Sequence, residues 1–196
     1  MSRIAFIPDD TDELKKWHKE LAAQFLKKIG VQQGNYILDF GCGIGSYALP
    51  AANFVGKNGK VYAIDNEQIC IDEIEKSIAT NHLKDIIVPL KTEGEFSFQF
   101  DNNIMDFVFL VDVLGVILHH TNSLKAIEEL ISEIARVIKP SGTLLIIYKH
   151  VNHWRHPKEK VESIITRYFS LQEELDLLHV HWDFLENGLV NLYKKK

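Results

Sequence analysis

Three glycines at alternate positions, Gly41, Gly43 and Gly45, stand just behind an acidic residue, Asp39. The short apolar run Tyr36-Ile37-Leu38 leads into them, and a stretch rich in Ala and Leu follows. Strand, glycine turn and helix in that order bring backbone N–H groups and a helix N-terminus close to a bound small molecule. Two ligand classes compete for the turn. A dinucleotide fingerprint needs Gly-x-Gly-x-x-Gly, with the last glycine for close helix packing. Here Ser46 occupies that last position, and the glycine falls at 45. A carboxylate at Asp39 would repel a pyrophosphate, but it suits a ligand that presents a cationic amine. A nicotinamide dehydrogenase is disfavoured on both counts.

A second acid, Asp65, closes the apolar run from Lys60. Histidines form the other notable group. Seven of the nine lie in three short stretches: His119 and His120, then His150, His153 and His156, then His179 and His181. All three are expected to be loops, with Trp154 and Trp182 among them. Imidazole can act as a general base or ligate a metal. No carboxylate or cysteine completes a recognisable metal-ligand spacing, so no metal is expected.

The elements that must position these residues follow from hydrophobic periodicity. Residues 1–29 read as a loose arm over 1–10 and a helix capped by Asp10 or Thr11. Its apolar face is Leu14, Trp17, Leu21, Phe25 and Ile29. Strands are expected at 36–40, 60–65, 86–90, 106–111 and 143–148. Helices are expected at 45–55, 67–80, 122–138 and 157–168. Residues 92–104 read as irregular, and 112–120 as a connection. Pro89 removes a ladder donor, so it should sit near an edge or at the strand's end. Two last strands, 171–177 and 188–193, are joined by about ten residues with no room for a helix, so they should pair antiparallel. The expected fold class is α/β: a doubly wound, mostly parallel seven-stranded sheet with an antiparallel last strand and helices on both faces. Loops after the parallel strands then share the carboxyl edge, where ligands bind.

The whole chain bounds the function further. Its 196 residues suit one domain, 1–196, and its 46% hydrophobic content is ordinary for a globular protein. A net charge of −5 argues against broad attraction to nucleic acid or anionic membrane. No apolar run approaches the ~20 residues of a membrane span. Cys42 and Cys70 read as reduced thiols, which fits a cytoplasmic protein. Oligomeric state is not readable.

The residues together resemble the class I S-adenosylmethionine-dependent methyltransferases. Asp39-Phe40-Gly41-Cys42-Gly43-Ile44-Gly45 is similar to their first motif. Val61-Tyr-Ala-Ile-Asp65 is similar to the second. Ile138-Lys-Pro-Ser-Gly-Thr-Leu-Leu-Ile146 and the terminal hairpin resemble later parts of the family. The likeness runs over about residues 20–195. It implies S-adenosylmethionine as cofactor and S-adenosylhomocysteine as product. It also implies roles. Phe40, Gly41, Cys42 and Gly43 approach the methionine part, and Asp39 orders the turn or its waters. Asp65 accepts from the ribose hydroxyls, and Asn66 lies against the adenine. Thr92 and Glu93 sit at the adenine edge, and Leu110, Val111 and Asp112 line the sulfonium side. The resemblance names no catalytic residue; His119, His120 and His150 are candidates. Gly115-Val116 stand where many small-molecule members have a histidine pair, and the Asn-Pro-Pro-Tyr type signature of base methylation is absent. The expected activity is methyl transfer by in-line displacement to an unnamed small-molecule acceptor. The alternative is a non-catalytic cofactor-binding module that acts through a protein partner.

Overall fold

The computed structural model describes residues 11–196, so the arm expected over 1–10 lies outside the described residues. The chain forms two compact units, each gathering discontinuous segments. One runs to Gly94 and takes in Leu177–Gly188; the other holds Glu95–Asp176 and Leu189–Lys196.

The first unit begins with α1 (Asp12–Lys16), a π-helical turn (Trp17–Leu21) and α2 (Ala22–Lys28). Thr11 caps α1: its hydroxyl oxygen accepts the Leu14 N–H at 3.1 Å. Then come β1 (Tyr36–Phe40), α3 (Ala48–Val55), β2 (Lys60–Asp65), α4 (Gln68–Thr80) and β3 (Ile87–Lys91). The three strands are parallel. Asp39 stands opposite Ala63 on β2, and Asp65 opposite Lys91 on β3. The strand order is β3-β2-β1, so β3 is an edge and Pro89 costs no interior ladder bond, as expected. Ile37, Leu38, Val61 and Ala63 are fully buried, as they are in strands covered on both faces.

The second unit holds β4 (Met105–Val111), α5 (Val113–Thr121), α6 (Leu124–Val137), β5 (Ile138–Ile147) and α7 (Lys158–Tyr168). β5 is parallel to β4 and antiparallel to the later strand β7 (Phe184–Lys195), which follows β6 (Phe169–His181). Ser123 caps α6 by accepting the Ala126 N–H at 3.2 Å. The face Ile127, Leu130, Ile131 and Ile134 is fully buried. The irregular segment before β4 is held by α6: Arg136 donates to the carbonyls of Phe98 and Phe100 at 2.9 and 2.7 Å, and Glu133 accepts the Phe98 N–H at 2.7 Å. Among the described residues, seven strands, mostly parallel with antiparallel last strands, give the expected fold class.

Three expectations need correction. Residues 112–120 are not a bare connection. Val113–Thr121 is helix, and burial of Val113, Leu114, Ile117 and Leu118 outweighs the weak helix propensity of Val, Ile and Gly. Trp154 fixes this helix in place. Its indole N–H donates to the Lys149 carbonyl at 3.0 Å, and a Cβ on Gly115 would lie 2.5 Å from that nitrogen. Gly115→Ala therefore forces Trp154 to move. A loss of about 1–3 kcal/mol is expected from overpacking, with an altered near-ultraviolet tryptophan signal. Unchanged melting and signal would contradict the contact.

The terminal strands are also longer than expected. β6 and β7 are joined by only Trp182 and Asp183, with Trp182 in the left-handed region at φ 59°. His179 and His181 are thus strand residues, not loop residues. Alternation of exposed and buried positions broke down near the hairpin tip, where Leu177, His179, Val180 and His181 are all buried.

The third correction concerns the first helix. Ala22 donates its N–H to the Trp17 carbonyl, five residues back, which inserts one residue into the helix. Ala22 rather than Leu21 therefore joins the buried face with Leu14, Trp17, Phe25 and Ile29.

Candidate functional site

The glycine turn is built by backbone geometry that few other residues can adopt. Gly41, Gly43 and Gly45 have φ of 76°, 52° and 91°. Gly41 and Cys42 donate their N–H groups to the Ile64 carbonyl at 2.8 and 3.0 Å, which ties the turn to the end of β2. Gly45 also needs to be small. A Cβ there would meet Leu49 Cγ at 3.0 Å and Ile74 Cγ1 at 3.2 Å, so this glycine serves helix packing one position earlier than a dinucleotide turn would have it. At Gly43 a Cβ would meet nothing within 4 Å.

Two carboxylates flank the turn. Asp65 is 9% exposed at the end of β2. Its Oδ2 accepts the Gly43 N–H at 2.8 Å, and its Oδ1 accepts the Glu67 N–H at 2.9 Å. Each oxygen keeps a second lone pair for another donor. Asp39 is 3% exposed, and its carboxylate accepts the Ala48 N–H at the start of α3. Its Oδ2 is buried with no hydrogen-bond partner among the described residues. Burial, and secondarily the charge of Asp65, push the Asp39 pKa up to about 7. A buried, unsatisfied carboxylate oxygen is costly, and it is best satisfied by a cationic donor. That is the chemistry of an ammonium group, and it fits an amino-acid-bearing cofactor better than a pyrophosphate.

The remaining expected residues fall as follows. Thr92 is buried; its N–H donates to the Asp65 carbonyl at 3.0 Å, and its hydroxyl oxygen accepts the Gly94 N–H at 3.2 Å. Asn66 and Glu93 are exposed, with Glu93 ion-paired to Lys91. Phe40 and Cys42 are buried. Burial raises the Cys42 thiol well above its ordinary range, so it is neutral packing rather than a nucleophile.

In the second unit, Leu110 is fully buried and Val111 ends β4. Asp112 follows in the left-handed region at φ 58°. His150 follows β5, also left-handed at φ 53°, with Nε2 3.8 Å from Asp112 Oδ2. Left-handed non-glycine residues are uncommon and concentrate at functional sites. His119 and His120 are exposed in the last turn of α5, not in a loop, with ring centroids 5.3 Å apart. His179 and His181 lie in the first unit beside Glu186, with His181 Nδ1 3.1 Å from its carboxylate. The seven histidines are thus spread over one helix end, one loop and one strand.

Residues 37–142 match the family model described as "Methyltransferase domain". The chain belongs to this methyltransferase family. S-adenosylmethionine is the cofactor that membership implies, and the chain is a methyltransferase. It is 27% identical over 165 residues to the probable cobalt-precorrin-6B C(15)-methyltransferase (decarboxylating) of Saccharolobus solfataricus, covering 81% of this chain and 78% of that one. It is 30% identical over 133 residues to the demethylmenaquinone methyltransferase of Symbiobacterium thermophilum, covering 68% and 48%. It is 31% identical over 120 residues to the sterol 24-C-methyltransferase ERG6 of Saccharomyces cerevisiae, covering 61% and 28%. The chain thus spans under half the length of the last two. A structure of a SAM-dependent methyltransferase from Aquifex aeolicus superposes with a TM-score of 0.67 at 23% identity, covering 92% of both chains. The PH0226 protein of Pyrococcus horikoshii superposes at 0.71 with 16% identity, covering 97% of this chain and 95% of that one. At those identities the superpositions speak for the fold.

What sequence reasoning missed in this methyltransferase is Trp17. Its indole N–H donates to the Ser46 carbonyl, directly behind Gly45, at 2.7 Å. An apolar position on a helix face gave no sign of a bond to the glycine turn.

Proposed function

We propose that this methyltransferase takes S-adenosylmethionine on the glycine turn of β1 and transfers its methyl group to a small organic acceptor. The observation that carries the cofactor placement is the buried, partnerless Oδ2 of Asp39, one strand away from the carboxylate of Asp65. In this reading Asp39 receives the cofactor's ammonium group. Asp65 receives the ribose hydroxyls on the lone pairs left by its two backbone donors. Phe40, Gly41, Cys42 and Gly43 form the wall nearest the methionine part. Asn66, Thr92 and Glu93 border the adenine.

When bound, the cofactor supplies a methyl carbon on a positively charged sulfur that is already a good leaving group. The chain's own task is therefore mainly to align the acceptor and exclude water. A base is needed only where the acceptor must lose a proton. His119, His120 and His150 are the candidates to hold that proton, and His150 has its Nε2 3.8 Å from Asp112 Oδ2. The small-molecule class rests on the relatives, named for a cobalt-precorrin, a demethylmenaquinone and a sterol. Two of those names specify a carbon acceptor. The two buried free thiols, Cys42 and Cys70, support action in a reducing compartment such as the cytoplasm.

Radiolabelled methyl transfer from S-adenosylmethionine across a panel of quinols, tetrapyrrole precursors and sterols tests the activity. Turnover on any of them supports enzymatic transfer. Tight cofactor binding with no transfer to any small molecule, but with a protein captured, would favour the binding-module reading.

Two glycine variants separate folding from binding. Gly45→Ala should cost about 1–3 kcal/mol of stability, because the new methyl meets Leu49 and Ile74 in a left-handed backbone. Gly43→Ala should cost only about 1 kcal/mol, because its space is open. It should nevertheless weaken cofactor binding at least tenfold, since the methyl stands where the ligand approaches. Thermal melts and calorimetry on both variants check this; equal effects on binding would contradict the assignment of the open face.

A further inference from the structure

Resting on the cofactor reading above, we propose that Trp17 is a positioning residue for S-adenosylmethionine, and that the π-helical turn exists to place it. In an unbroken α-helix, Trp17 and Phe25 would face directions about 80° apart. The single inserted residue brings them to within about 20° of one line. The two rings then sit 5.4 Å apart, and both meet Tyr47, at 5.3 and 5.8 Å. Trp17 is fully buried in this cluster, and its indole N–H is satisfied by the Ser46 carbonyl.

That carbonyl belongs to the segment between Gly45 and the first residue of α3. Its neighbour Tyr47 is fastened separately, donating its hydroxyl to the Val180 carbonyl of β6 at 2.7 Å. The hairpin tip is fastened in turn to α1: the Thr11 hydroxyl donates to the Asp183 carbonyl, and Glu13 accepts the Leu185 N–H. The C-terminal end of the glycine turn is therefore clamped from two sides by elements outside the β1–α3 unit. π-Turns inside α-helices cost stability and recur at functional sites. Here the turn lets one helix both bury an aromatic face and deliver a donor to the cofactor loop. Trp17 acts through the turn and touches no reacting atom.

Calorimetry with S-adenosylhomocysteine tests this on three full-length proteins. Trp17→Phe keeps an aromatic ring and removes the N–H. It should weaken binding roughly five- to tenfold at a temperature where the variant is fully folded, the worth of one buried hydrogen bond. Phe25→Leu disturbs the same cluster without touching the bond. It should lower the melting temperature and leave affinity within twofold. Equal affinity of the wild type and a folded Trp17→Phe overturns the proposal and leaves the cofactor reading intact. Failure of the wild type itself to bind removes both. If Trp17→Phe does not fold, hydrogen exchange on the wild type decides. The amides of Gly43–Ala48 and of the helix around Trp17 should gain protection together when S-adenosylhomocysteine binds. Protection confined to the turn overturns the proposal.

Discussion

Asp65→Ala is expected to weaken S-adenosylmethionine and S-adenosylhomocysteine binding by about 100-fold or more. Hydrogen bonds from hydroxyls to an ionised carboxylate are worth about 1.5–3 kcal/mol each, and a ribose offers two. Asp65 is pre-aligned for them because both its oxygens are already held by backbone donors, Gly43 and Glu67. Removing the side chain also leaves those N–H groups without acceptors, so a parallel loss of roughly 1–3 kcal/mol in stability is expected. Asp65→Asn separates the two effects. It keeps the shape and one acceptor oxygen, and should lose about tenfold in affinity with less destabilisation. Isothermal calorimetry and thermal melts on both variants make the check. Near-native affinity in Asp65→Ala would remove the ribose assignment.

The second large effect is a dependence on pH that belongs to Asp39. Its pKa is raised from 3.8 to about 7, chiefly by burial and next by the negative charge of Asp65, with the Ala48 N–H opposing. Cys42 and Tyr47 also face it; burial first, and the Asp39 charge next, drive both well above their ordinary values, so both are neutral near pH 7. A carboxyl whose folded pKa exceeds its unfolded value holds more protons in the folded state. Its contribution to stability is thus full below about pH 4 and is lost as pH rises toward 7. Binding runs the other way, because an ammonium group prefers the ionised form. Cofactor affinity should rise about tenfold per pH unit below 7, with proton release. It should fall again as the cofactor's own amine loses its proton, near the ordinary α-amino range of about 7.7–8.0. Asp39→Asn should bind more weakly and keep only the alkaline limb. Calorimetry at pH 7 in buffers of different ionisation enthalpy reads the released proton directly. An acid limb that survives in Asp39→Asn would place it elsewhere.

Much of this was legible in the sequence because several levels agreed. Apolar runs, glycine spacing and the acid ending β2 all pointed to one α/β arrangement, and the strand ends at Phe40, Asp65 and Val111 fell where expected. Pro89 left an edge position or a strand end open for β3, and the edge is what forms. What escaped was decided by packing. Leu21 fits the helical period, yet a π-turn moves Ala22 into its place, and no period announces an insertion. Val113–Thr121 looked like a connection because Gly115 and β-branched residues are poor helix formers; burial of Val113, Leu114, Ile117 and Leu118 decides otherwise. The histidines misled most. Clustering in sequence suggested one set of loops, but a two-residue hairpin places His179 and His181 inside a buried strand. The glycine turn was readable because backbone geometry dictates its residue types. The acceptor was not, because no comparable backbone constraint ties the histidine stretches to one chemistry.

Titrating the full chain with S-adenosylhomocysteine at pH 7.5 by isothermal calorimetry is the most direct test of the central claim. One-to-one binding in the micromolar range, lost in Asp65→Ala and weakened in Asp39→Asn, is the expected result. No heat of binding at millimolar ligand by a folded wild-type chain would contradict it.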